Sequence, residues 1–372
     1  MIKIRAGIPV SGSEFIGRED DIAKILEILQ MGQSIVLIAP RRFGKTSLVM
    51  KILLLLKKKK CFTGFVDIFA SPSIPALSEQ ITAQVLKNNK LDSIFKKSAR
   101  SALQLFRNAK LKAVIEDFEF ILSFADDNKN KWSLLENSID FINKYSVKNN
   151  NQMIFAFDEF GDISKLDGNQ IVKLFRSKTQ QHKNTSYIFS GSYESVMNTM
   201  FVSKNAPFYR FARVINLGFI DTGEFLKYYK KKFKQFGIND YEKLSSDILK
   251  FTQGHPYYSQ LALQEAIIFY KLNDKLPNYK TLIANMLQAE RNYLEKSWEE
   301  VSTSKASVKV ILAIVESESG IYAKLGNSGI NIFRTLNQLK NKGILIKNKN
   351  NNKNYQLSDP LFQEWIKTYV LS

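Results

Sequence analysis

Residues 39–46 read APRRFGKT, and residues 153–159 read MIFAFDE. The first segment closes on Gly44-Lys45-Thr46, as in the phosphate loop G-x-x-x-x-G-K-[ST], whose backbone N–H groups cradle phosphate oxygens. Lys45 is expected on the β- and γ-phosphates, and the Thr46 hydroxyl on magnesium. Gly44 lets the loop turn tightly, and the N-terminus of the following helix adds a favourable dipole. The second segment is an apolar run ending in two carboxylates. Asp158 is expected to hold magnesium, directly or through water, and Glu159 to polarise an attacking water. A separation of about 110 residues between loop and acids suits a phosphoryl-transfer hydrolase.

Arg41, Arg42, Phe43 and Ser47 are the remaining loop residues expected at the nucleotide. Ala39 stands where the pattern has its first Gly. Pro40 holds the residue before it extended, a conformation Ala adopts without strain. In SYIFSGS (186–192), Ser190 or Ser192 ends an apolar run beside the expected γ-phosphate, or forms a plain Ser-Gly turn. Arg210 and Arg213 in PFYRFARV offer a finger on the γ-phosphate, in cis or from a neighbouring subunit. The alternative is an exposed or salt-bridged arginine.

These groups need a scaffold. Short apolar runs at 34–38, 63–69, 153–157, 186–190 and 213–217 read as strands. Between them lie helical segments, such as the amphipathic 19–30 and the helix from the phosphate loop through Leu56. Alternation of this kind predicts an α/β fold with a parallel sheet covered on both faces. Ligands then sit at the C-terminal strand ends, where Asp158 and Glu159 fall. DDNKNK (126–131) and KNNNQ (148–152) read as loops. After residue 219 the texture becomes helical to about 302. Residues 303–372 then read as a helix (306–317), a second helix (328–342) and two short strands around an Asn/Lys-rich tip (347–354). That order is the pattern of a winged helix. Three domains are therefore expected, at 1–219, 220–302 and 303–372.

The 372 residues carry 54 Lys+Arg against 35 Asp+Glu, a net charge of +19. Such a balance points to nucleic acid, an anionic surface or phosphate ligands, but Lys outnumbers Arg 43 to 11, which compositional bias also produces. Lys57–Lys60 fit a solvated helix C-terminus. One Cys and two His exclude a disulfide framework and a Cys/His metal centre. No stretch reaches the length of a membrane span, and the N-terminus lacks an apolar signal core, so a cytoplasmic protein is expected.

FIGRE (15–19), APRRFGKTS, FVDIF, FAFDEF, FSGS, GHPYY (254–258) and YQLSDPLFQEWI (355–366) occur in an order that resembles the archaeal-type ATPase family, in the STAND branch close to AAA+ proteins. The resemblance implies a P-loop, AAA+-like core, a helical lid and a C-terminal winged helix. It implies ATP or ADP with magnesium as ligands and a slowly hydrolysing, nucleotide-dependent switch. Gly17 and Arg18 fall in the N-terminal motif near the nucleotide. Gly254, His255 and Pro256 match the lid's GxP motif, with Pro256 close to the adenine or ribose. Arg210 falls near the family's arginine. Without an NKxD-type motif, ATP is favoured over GTP. The winged helix leaves two partners open, DNA through residues 328–342 or a protein, and oligomers are possible. A scaffold without turnover is the third reading.

Overall fold

The computed structural model describes residues 4–88, 131–192, 194–316, 321–326, 328–347 and 355–371. Its centre is a parallel sheet of β1 (Ile35–Ile38), β2 (Phe62–Asp67), β3 (Met153–Asp158), β4 (Thr185–Gly191) and β5 (Arg213–Asn216), in the order β2-β3-β4-β1-β5. β4 thus lies between the phosphate-loop strand and the acidic strand. β1, β3 and β4 are buried along their whole length.

Side chains alternate between the two faces of the sheet, as the pleat requires. Ile35, Leu37, Ile154, Ala156 and Ile188 pack under α1 (Glu19–Gln30) and α2 (Lys45–Lys58). Val36, Ile38, Phe155, Phe157, Tyr187 and Phe189 face α3 (Ile74–Leu86), α4 (Lys131–Lys148), α5 (Ser164–Thr179) and α6 (Glu194–Phe201). α1 buries Ile22, Ile25, Ile28 and Leu29, and the three acids of its first turn oppose the positive end of its dipole.

Four helices and a fifth follow the sheet: α7 (Thr222–Gln235), α8 (Glu242–Thr252), α9 (Pro256–Asn273), α10 (Tyr279–Ala289) and α11 (Arg291–Ser302). Next come α12 (Lys305–Glu316), α13 (Ile321–Leu325), α14 (Ile332–Asn341), an antiparallel pair of β6 (Leu345–Lys347) and β7 (Tyr355–Leu357), and α15 (Pro360–Tyr369). One buried apolar cluster runs through this whole part, from Phe225 to Ile366.

Several boundaries differ from the sequence reading, and three of them have a bearing on the fold. β2 ends at Asp67 rather than 69, because the Asp67 carboxylate accepts the Phe69 N–H at 3.0 Å and turns the chain. Phe69 is left 74% exposed. The helix expected from 328 starts at Ile332, where the Asn331 side chain accepts the Arg334 N–H at 3.0 Å and caps it. Lys131, read as loop, begins α4. The rest of the DDNKNK loop, and all of the expected tip beyond Lys347, lie outside the described residues.

Candidate functional site

The phosphate loop runs from the end of β1 to Gly44, which caps α2 with φ +79. That left-handed conformation costs Gly little and other residues more. Ala39 is buried and fits without disturbing the turn. Lys45 is 5% exposed, and its Nζ donates to the Ala39 and Pro40 carbonyls, both at 2.9 Å. Burial pushes the Lys45 ammonium down to about 8, against the raising effect of Glu159 and Asp158.

Across the sheet edge, the Thr46 hydroxyl donates to Asp158 Oδ2 at 2.6 Å, and Ser190 Oγ donates to Oδ1 at 2.5 Å. Asp158 is therefore a buried carboxylate held by two hydroxyls from α2 and β4. Glu159 has left-handed backbone angles (φ +47) that turn it out of the strand. Its carboxylate accepts the Ser192 N–H at 3.1 Å and Oγ–H at 2.6 Å. Ser190 thus contacts Asp158, and Ser192 contacts Glu159.

A cleft of 460 Å³ opens over these groups, within the usual range for small-molecule sites. Arg18, Arg41, Arg42, Phe43, Gly44, Lys45, Thr46, Ser47, Glu159, Ser192 and Pro256 all line it. Several of these side chains are nonetheless engaged with protein. Arg18 Nη2 donates to the Phe43 carbonyl at 3.1 Å and the Gly218 carbonyl at 2.8 Å, stitching the loop to the segment after β5. The Phe43 ring is buried against Phe219 (5.5 Å) and His255 (4.9 Å). Ser47 Oγ accepts the Val10 N–H at 3.0 Å, which fastens the N-terminal segment onto α2. Arg42 Nη1 meets Glu290 Oε2 at 2.6 Å.

Arg210 is not brought to the cleft. It is exposed, with φ +57, and its guanidinium lies 5.4 Å from the Tyr209 ring. Arg213 is exposed at the start of β5. The far wall adds residues that sequence reasoning did not single out: Gly7–Val10, Ile220, Tyr257 and Gln260. Only Tyr257 had a signal, its place beside Pro256 in GHPYY.

Gly254 (φ +78) and His255 join wall and core. Ile220 donates its N–H to the Gly254 carbonyl at 3.0 Å, and a Cβ on Gly254 would stand 1.9 Å from the Ile220 oxygen. The buried His255 caps α9, and burial together with the Arg42 charge pushes its imidazole down to about 3. The imidazole is therefore neutral at physiological pH.

The donor set suits a hard cation, since a Thr hydroxyl and a carboxylate converge below a lysine. The arrangement can therefore hold a polyphosphate by backbone N–H groups and Lys45, with a carboxylate beside it for water. Among the described residues, no helix is long and apolar enough to cross a membrane.

Comparison with known proteins supplies the context. The chain is similar to the Walker-type ATPase PABY2304 of Pyrococcus abyssi, with a TM-score of 0.68 and 16% identity, over 95% of this chain and 96% of that one. That likeness is one of fold. Fainter likenesses reach the Aeropyrum pernix ORC1 protein, solved with DNA (TM-score 0.48, 12% identity, 95% and 92% covered), and the Thermotoga maritima RuvB branch-migration motor (0.42, 12%, 95% and 96%). No curated protein sequence matches. Residues 15–261 match a family model described as an ATPase domain predominantly from Archaea, and the chain belongs to that family.

Proposed function

We propose that the cleft binds ATP with magnesium and hydrolyses it slowly, and that the protein works as a nucleotide-dependent switch. The observation that carries this reading is the convergence of Lys45, Thr46, Asp158 and Glu159 at one end of the sheet. Thr46 and Asp158 would hold magnesium, which when bound supplies positive charge to the phosphates. Lys45 stabilises charge developing on the transferring phosphoryl group. Glu159, oriented by Ser192, holds the water in line and takes its proton. As the water oxygen bonds to the γ-phosphorus, the bond to the β–γ bridging oxygen breaks and ADP leaves with that electron pair; departure of phosphate and then ADP frees the site.

In this reading residues 1–219 form the nucleotide core and 220–302 a helical lid, with Pro256 beside the base or ribose. Residues 303–372 follow the order of a winged helix that moves with nucleotide state. Arg210, on the surface, could act only on a neighbouring subunit's nucleotide.

Calorimetry on Lys45→Ala tests the site. Loss of ATP binding is the expected result, and unchanged affinity contradicts the assignment.

A further inference from the structure

Arg42 belongs to the phosphate loop, yet its guanidinium is committed elsewhere. Glu290 sits at the junction of α10 and α11 and is 5% exposed. A buried carboxylate without partners is costly. Glu290 has two partners: Arg42 at 2.6 Å on Oε2, and the Tyr257 hydroxyl at 2.6 Å on Oε1. The Arg42 guanidinium also stacks 4.3 Å over the Tyr257 ring and 5.1 Å from that of Tyr293. One loop residue thus grips α9, the α10–α11 junction and α11 together.

The grip continues outward. Tyr258, next to Tyr257, donates to Asp359 Oδ2 at 2.5 Å, and Asp359 caps α15. A Cβ placed on Gly343, before β6, would stand 3.8 Å from Pro40 of the same loop, so the chain there passes close to it. Tyr257 itself lines the cleft, and Pro256 precedes it. Arg42 therefore touches the first turn of α9, which supplies part of the cleft wall.

We propose that Arg42 is a positioning residue, the tether that holds helices α9–α11 over the phosphate loop, and that the Arg42–Glu290 pair sets the rate at which nucleotide leaves the cleft. The tether itself is a property of the protein alone. Its effect on release rests on the cleft being the nucleotide site. Arg42 is already neutralised by Glu290, and leaving it for a phosphate would strand that carboxylate, so a direct role on the nucleotide is disfavoured.

Two measurements on the 372-residue wild type, Arg42→Ala, Arg42→Lys, Glu290→Gln and the double variant Arg42→Ala/Glu290→Gln test this. The first is hydrogen exchange without nucleotide, followed at residues 254–258 and 286–294. The second is stopped-flow release of a fluorescent N-methylanthraniloyl-ADP. Both Arg42→Ala and Glu290→Gln should speed exchange and release about tenfold or more, with Arg42→Lys intermediate and the double variant no faster than the faster single one. Unchanged exchange in Arg42→Ala and Arg42→Lys overturns the tether. Faster release in Arg42→Ala alone, with Glu290→Gln like wild type, overturns it in favour of a phosphate contact. If wild type binds no labelled ADP, the reading of the cleft fails, and exchange alone still decides the tether.

Discussion

The Thr46 hydroxyl donates to Asp158 across 2.6 Å, joining the helix that closes the phosphate loop to a strand two places away in the sheet. The same carboxylate accepts Ser190 from the strand between them. Asp158 is therefore a keystone as well as a metal candidate, and the two roles separate on substitution. Asp158→Asn keeps the size and one acceptor. It should fold, yet lose at least about tenfold of any advantage that magnesium gives ATP binding over binding in EDTA. Calorimetry in both buffers checks this, and an advantage retained by Asp158→Asn counts against the metal role.

With Lys45 at the nucleotide, as proposed, affinity is expected to depend on pH. Its ammonium sits at about 8 in the free protein because it is buried. A bound polyphosphate favours the charged form, so binding takes up a proton above that pH. Affinity for ADP should be level below pH 7 and fall by at least about tenfold by pH 9.5. A flat calorimetric profile from pH 7 to 9.5 contradicts this.

His255 gives stability an acid limb. Its imidazole is held down to about 3 in the fold, against about 6.5 when unfolded. Between those values the unfolded chain binds the extra proton, so stability falls as pH falls. Between pH 7 and 5 the loss should be about 2 kcal/mol. His255→Asn, which keeps a capping side chain, should lack that increment. Urea unfolding of both proteins at the two pH values measures it, and parallel losses would exclude His255 as the source.

Gly254→Ala should separate the wall from the core. The new methyl meets the Ile220 carbonyl at a residue with φ +78, so the backbone must shift and the Ile220–Gly254 bond is strained. A loss of about 3 kcal/mol is expected, several degrees in Tm. A wild-type Tm contradicts the contact.

The strands were legible because burial on both faces demands unbroken apolar runs, as in IVLI and MIFAF. The turn at Gly44 before α2 and the place of Asp158-Glu159 at the end of β3 were legible because a Gly-Lys-Thr loop and an apolar run closing on acids both mark a strand end. The direction of side chains was not. Arg42 looks like a phosphate ligand by its neighbours, but its partner lies 248 residues away at a helix junction. Phe43 reads as a loop residue and packs as core. Val10 docks on Ser47 through a backbone N–H, which no side-chain pattern encodes. Asp67 and Asn331 set element ends through local hydrogen bonds that an apolar pattern overrides on the page but not in the chain.

The proposed function turns on Glu159 activating water in a cleft that binds ATP. Single-turnover phosphate release from wild type and Glu159→Gln, with ATP affinity measured alongside, tests it most directly. Glu159→Gln is expected to bind ATP about as tightly as wild type and to release phosphate at least about 100-fold more slowly. Phosphate release at the wild-type rate from Glu159→Gln would contradict it.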